Sequence, residues 1–409
     1  MSVIYDSDAL YDTPGLYDFE EMPSVPLMIV ELDLGDPLTT PTWAADITSY
    51  VRAWNSSRGT QRELQRVEAG QASITLDNLS GRFTPQNTLS VYYPNLLPMR
   101  RIRIRAAWNA VIYPIFQGFA EEWPASFPEV GDDQIVTVPL VDGFKVLSLA
   151  QVSGAFSQQL SGARVGAILD AISWPAGDRN LDTGLTTVPA VTLANTSALE
   201  HLQAVEHVEG GRLFMSRDGK VTFKQRSFGA APDFNGRTWT DAGGAMSYRD
   251  IVLNFTDELI INDARLTRTG GVEQTASSSA SQTKYGRRSF TESGLPMVND
   301  NDVADFAAEL VQIYGEPALR IDSLADNAMK HQRWEDLLAR ELRDRVLAQK
   351  TPAGSSLISQ DSFFAGIQHS WVPDEWRTTL LLTPASNETR WILDDAVYSI
   401  LNTSTILAR

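Results

Sequence analysis

Residues 100–108 read RRIRIRAAW. Ile102, Ile104 and Ala106 fall on one side of an extended chain, and Arg101, Arg103 and Arg105 on the other. This two-residue period marks a β-strand with one face in a core. A helix would scatter the same residues around its circumference. The neighbouring stretches agree. LMIVELDL (27–34) reads as a strand, and ASITLDN (72–78) alternates before the turn residues Asp77, Asn78 and Gly81. VIYPIFQGFAEEW (111–123) and QIVTVPLVD (134–142) add two more. Short strands separated by turns predict a β-barrel or sandwich over residues 26–150.

The pattern changes over residues 151–245. GARVGAILDAIS (162–173) is a short amphipathic helix that ends at Trp174-Pro175. Ser197, with Glu200 three residues on, forms a capping box for a second helix striped by Leu199, Leu202 and Val205, and Gly210-Gly211 stops it. RLFMSRDGKVTFKQR (212–226) is a hairpin turning at Asp218-Gly219. This is a small α+β module. Residues 246–409 return to β, interrupted by a helix at about 303–314, VADFAAELVQIY, which ends before Gly315 and Pro317. FFAGIQHSWVPDEWRTTLLLTP (363–384) and WILDDAVYSIL (391–401) are strand-like, whereas Trp334–Gln349 fits a helix by spacing and a strand in its later part. At the other end, residues 1–25 form an acidic arm. Tyr-Asp recurs there at Tyr5, Tyr11 and Tyr17, a spacing that fits neither helix nor strand, and prolines break regular structure. Such an arm is expected to lie on a neighbouring subunit, with the three tyrosines as contact residues.

Composition narrows the function. A length of 409 residues suits two or three domains, and 43% hydrophobic residues is ordinary for a globular protein. The absence of cysteine removes disulfides, thiol nucleophiles, thiolate zinc sites and iron–sulfur clusters. No apolar run approaches the roughly 18 residues that spanning a bilayer takes. The start, MSVIYDSDALYD, is acidic where a leader would be basic, so the chain is expected to be made in a cytoplasm and to leave, if it does, by lysis. Thirty-four basic against 51 acidic residues give a net charge of −17, which opposes nucleic-acid binding through phosphate neutralisation. It suits solubility, and also a surface past which DNA slides without sticking.

No reactive cluster stands out. His201 and His207 are six apart on one predicted helix, whereas ligands on one helical face need separations of three or four; His331 and His369 are isolated. The acidic pairs Glu20-Glu21, Glu121-Glu122, Asp132-Asp133 and Asp394-Asp395 suit solvated positions better than a glycosidase pair held across a sugar cleft. LDNLSGRF (76–83) lacks the alternating carboxylates of a calcium loop, and neither a glycine-rich phosphate loop nor a GxSxG elbow is present. The expectation is no catalytic residue, no metal and no cofactor. The stripe Arg101, Arg103 and Arg105 is the one basic feature, best read as an interface, since an acidic protein packing on its own copies gains from a complementary positive face. Tryptophans such as Trp43, Trp54, Trp123, Trp174, Trp239, Trp371 and Trp376 fit core, interface or sugar platform alike.

The first β region runs DITSYVRAWNSSRG (46–59), AGQASITLDNLSGRFTP (69–85), YYPNLLPMRRIRIRA (92–106) and FQGFAEEW (116–123). In this order these motifs resemble minor tail and hub proteins of tailed phages. GGRLFMSRDGKVTFKQR (210–226) looks like that family's middle-domain hairpin, and residues 363–385 like its closing strands. The resemblance implies a mainly β fold, with two related β-barrel-like domains flanking a small α+β module. Within 334–349 it implies a short helix near Trp334–Ala339 and then a strand through Asp344–Val346, with Arg343 standing where a glycine is expected. By function it implies a structural baseplate hub in the virion, at the distal end of the tail. Three copies of two barrels would make a ring of pseudo-sixfold symmetry that mates with a hexameric tube. The implied partners are further copies of the chain, with a trimer favoured, the tail tube or distal tail protein, the tape-measure protein, and tail fibre or spike proteins. No sequence-specific nucleic acid and no membrane anchor belong to this picture. Related hubs carry C-terminal hydrolase or fibre domains, for which the 409 residues leave no room. The alternatives are a hexameric distal tail protein, and a cell-wall-degrading or carbohydrate-binding tail component.

Overall fold

The computed structural model describes residues 25–60, 66–124, 134–228, 237–243, 246–326 and 333–385. The acidic arm with Tyr5, Tyr11 and Tyr17, His331 and the stretch 391–401 lie outside the described residues. The chain is mainly β. Strands β1 (Leu27–Asp33), β2 (Ala45–Asp46), β3 (Val51–Gly59), β4 (Gln71–Asp77), β5 (Arg101–Trp108), β6 (Val111–Ala120) and β7 (Ile135–Val141) make up its first part. All are antiparallel, in the order β3-β4-β7-β6-β5-β1-β2. In β5, Ile102, Ile104 and Ala106 are fully buried, and each isoleucine contributes about 2 kcal/mol of hydrophobic burial.

Helix α1 (Phe144–Leu149) leads into β8 (Gln151–Phe156), β9 (Gln159–Leu160), α2 (Ser161–Ala171), β10 (Arg179–Leu181), β11 (Thr187–Val188), β12 (Val191–Ser197), α3 (Ala198–Glu209), β13 (Arg212–Met215) and β14 (Val221–Lys224). Ser197 caps α3 as expected, its hydroxyl accepting from the Glu200 N–H, and Gly210 closes the helix in the left-handed conformation. The β13–β14 hairpin turns at Gly219, where φ is +81°. A buried carboxylate organises this module: Glu209 at the end of α3 accepts from the Ser161 hydroxyl and from the backbone N–H groups of Leu185, Thr186 and Arg226. One acid thereby satisfies donors from the start of α2 and from two separate loops.

The remainder comprises β15 (Thr238–Trp239), β16 (Tyr248–Asn254), β17 (Asp263–Arg268), β18 (Gln274–Ser277), α4 (Ser279–Tyr285), β19 (Ser289–Leu295), α5 (Asp300–Tyr314), β20 (Arg320–Asp326), a short helix Trp334–Leu338, β21 (Arg345–Lys350), β22 (Ile358–Val372) and β23 (Glu375–Pro384). The expected helix at 303–314 starts three residues earlier, because the Asn299 side chain accepts the Asp302 N–H and Asp300 and Asp302 favour the positive end of the helix. Helix α4 was not expected. Its sequence, SASQTKY, has no apolar stripe, and Ser278 caps it. Strands β17, β18 and β19 form a separate three-stranded sheet covered by α5, so this part holds a second α+β unit where one helix was foreseen. The helix-then-strand reading within 334–349 matches, and Arg343 adopts φ +72°, the left-handed conformation a glycine would take.

Strand β22 is long enough to pair twice. Its first half pairs with β21, and Gly366–Trp371 pair antiparallel with β3, Gly366 opposite Gly59 and Trp371 opposite Trp54. The first and last β regions are therefore one continuous sheet of 13 strands among the described residues. Two β-barrel-like domains flanking the α+β module were the expectation; the pairing of β3 with β22 that joins the two β regions was not visible in either strand's own pattern. Among the described residues no helix is long and apolar enough to cross a membrane.

Candidate assembly surface

The arginine stripe is engaged within the chain. Register places Glu31 of β1 opposite Arg103, and the Glu31 carboxylate accepts from Arg103 Nε and Nη2 at 2.7 and 3.0 Å and pairs with Arg105 Nη2 at 2.6 Å. Burial pushes that carboxyl up, but hydrogen bonds and charges from both arginines outweigh it and hold it below the usual range. The Arg103 guanidinium also lies 4.2 Å from the centre of the Trp43 ring. Arg101 is buried. It donates to the Pro37 carbonyl and sits 3.9 Å from Asp178, tying the first sheet to the α+β module. The three arginines share a face as expected, but that face is covered and largely neutralised.

Seven tryptophans also find places. Trp54, Trp123, Trp174, Trp239 and Trp376 are buried, and Trp43 and Trp371 half-buried, so core packing accounts for most of them. Trp54 meets Trp376 edge-on at 5.2 Å, with Trp334 and Trp108 extending the cluster across the seam. His369 lies inside this cluster, its Nδ1 accepting from Trp376 Nε1 and bonded to the Thr378 hydroxyl; burial pushes its pKa down to about 3. His201, buried beside Arg164, is pushed down to about 4, first by burial and then by that charge. His207 faces Glu292 at 2.8 Å. Each of these histidines serves packing or pairing with its own neighbours, and their rings do not converge.

At the seam a charged group joins three regions. Arg58 of β3 donates to Glu341 at 2.7 Å, and the other Glu341 oxygen accepts the Arg217 N–H from the β13–β14 turn at 2.8 Å. The Arg217 guanidinium donates to the carbonyl of Leu338. A cleft of about 550 Å³ opens beside this group, lined in part by Arg179, Lys220 and Lys224. Each of those cations has its own acid, Asp170, Asp218 and Asp182 respectively. Removing one partner from a buried pair leaves a charge uncompensated, so this joint is held by its partners jointly.

Among the described residues, the most exposed large apolar side chain, Leu89, lies on the loop between β4 and β5. The inner side of this loop is firmly built. Asn78, itself buried, accepts the Phe83 N–H and donates to the Thr84 hydroxyl. Phe83 is fully buried against Tyr92 and stacks on Trp123, and Trp123 Nε1 donates to the Leu97 carbonyl. The outer side carries Leu79, Leu89, Val91, Tyr93 and Leu97, with Leu89 92% exposed. The loop is thus held tightly from within and still presents large apolar side chains to solvent. In the sequence only its beginning, Asp77, Asn78 and Gly81, was marked by turn residues; the available signal was the leucines and valine that follow.

No protein-family model and no curated protein matches the chain. Solved structures do. A 43 kDa tail protein of prophage MuSo2 from Shewanella oneidensis superposes with a TM-score of 0.57 at 11% identity, covering 89% of this chain and 98% of its own. A tail protein from Neisseria meningitidis MC58 superposes with a TM-score of 0.59 at 10% identity, with the same coverage. The chain has the fold of phage tail proteins. At such identities the likeness is one of architecture rather than of shared side chains.

Proposed function

We propose that the chain is a structural hub subunit at the distal end of a phage tail, closing with copies of itself into a ring, a trimer, that joins the tail tube to fibres or spike and passes DNA. The observation that carries this reading is the end-to-end overlap with two tail proteins, which leaves almost no part of either without a counterpart. The firmly held apolar loop bearing Leu89 and Val91 supports assembly, because such a face is satisfied by a partner rather than by water. The net charge of −17 suits a lumen that repels passing DNA. In this proposal the partners are the tail tube or distal tail protein, the tape-measure protein, and fibre or spike proteins. The arm at 1–25, two barrels at 26–150 and 246–409 and the module at 151–245 are its units, and Tyr5, Tyr11, Tyr17, Arg103 and Arg105 its contacts. Arg101, being buried, contributes through the fold. The protein works without catalysing a reaction.

Light scattering on the purified full-length protein at micromolar concentration tests this, with a particle of three chains expected. Six chains would favour a distal tail ring instead. A monomer that clears cell-wall material in a zymogram would overturn the proposal.

A further inference from the structure

The cleft beside the Arg58–Glu341 joint has the volume of a ligand site, about 550 Å³. Local structure gives it a cationic wall. Strand β10 brings Arg179, the β13–β14 turn brings Arg217 and Lys220, and β14 ends on Lys224, in a chain whose net charge is −17. The acids that hold Arg179 and Lys224 are Asp170 at 2.6 Å and Asp182 at 3.2 Å, and neither belongs to the lining. Of the acids that do, Asp218 pairs with Lys220, and Glu341 divides its two oxygens between Arg58 and the Arg217 N–H. The third, Asp344, has its carboxyl pushed up by burial, which weakens its negative charge. The Arg217 guanidinium donates to the uncharged carbonyls of Leu338 and Arg340. The Nε–H of Arg179 is buried without a hydrogen-bond partner, and so are those of Arg237 and Arg340, whose charges act on Asp344. Native structures leave few buried donors unmatched, so several around one cleft point to a missing anionic acceptor.

We infer that this cleft binds an acidic segment of a partner protein, its carboxylates on the cationic wall and an apolar side chain between them. The lining carries apolar surface as well as charge. Pro114, Phe214, Phe228 and Leu342 belong to it, and Lys224 Nζ lies 4.6 Å from the centre of the Phe228 ring. A free phosphate would use the cations and leave this surface unmatched. A peptide with carboxylates around an apolar residue matches both, as clusters of basic side chains do when they recognise acidic motifs. The ligand does not depend on how many copies of the chain assemble.

Fluorescence anisotropy with the full-length protein in about 50 mM salt tests this with two labelled peptides, Glu-Glu-Leu-Glu-Glu and Gln-Gln-Leu-Gln-Gln. The acidic peptide should bind about tenfold more tightly than its neutral counterpart, and the difference should shrink as salt rises. Lys220→Glu should weaken the acidic peptide about tenfold and Lys220→Gln about threefold. Both variants should fold, since the Lys220 side chain is 41% exposed. Lys284→Glu, which changes an exposed cation on α4 outside the cleft, should leave the affinity unchanged. No binding of the acidic peptide, equal binding of the two peptides, or equal losses at Lys220 and Lys284 would each overturn the inference. Displacement of the peptide by inorganic pyrophosphate at a lower concentration than by unlabelled peptide would give the cleft to a phosphate ligand and overturn it too.

Discussion

Gly59 shows how much of the seam rests on single atoms. Its φ is +94°, and a Cβ there would lie 2.1 Å from the Ala365 carbonyl oxygen, inside the bulge where β22 crosses from β21 to β3. Gly59→Ala is expected to cost about 3 kcal/mol or more, from strain and collision together, read as a lower urea midpoint. The Arg-Gly dipeptide was visible as a turn in the sequence; the partner it touches, three hundred residues away, was not. Asp142 is a second case. It is buried and accepts from the N–H groups of Gly70 and Phe144, yet burial outweighs these bonds and pushes its pKa up to about 7. A carboxyl raised in the folded state binds its proton there more tightly than in the unfolded chain. It therefore favours folding at low pH, and the contribution is lost as pH rises from about 4 to about 7. Comparing wild type with Asp142→Asn by denaturation at several pH values cancels the histidines. The stability of the wild type relative to the variant should rise as pH falls through that window. Nothing in VDGFK (141–145) announced this, because burial is a property of what packs over a residue.

Among the elements, those with a strong local signature were legible. β5 was given by alternation, α3 by its cap and stop, and the β13–β14 hairpin by Asp218-Gly219. Helix α4 was not, since a serine-rich stretch without an apolar stripe is helical only through its cap and through Ser281, buried and bonded to the Gly315 carbonyl and Asn262. Helix α5 permits a direct test. The Asn299 side chain accepts the Asp302 N–H at 2.9 Å, so Asn299→Ala should destabilise by about 1 kcal/mol in chemical denaturation. Replacement by serine or aspartate, which keep an acceptor there, should cost little.

For the whole molecule, the proposed ring makes the outer side of the β4–β5 loop a contact between copies. Leu89→Asp combined with Val91→Asp should lower the particle mass in light scattering while moving the melting temperature of the isolated chain by only a degree or two, because both side chains are exposed and neither supports the loop. An unchanged mass would take this loop out of the contact. The site was the least legible part. The arginine stripe drew attention by its charge, but Glu31, Trp43 and Asp178 already occupy it. By itself the sequence determined the mainly β class, the strands with alternating faces, the capped helix and the hairpin, because these follow from spacings within about a dozen residues. Only the tertiary structure decided that β3 and β22 join the two β regions into one sheet, that Glu31 pairs with both Arg103 and Arg105, and that Leu89 and Val91 are exposed. Each of those depends on which distant surfaces meet, and the energy of that meeting is written in no single segment.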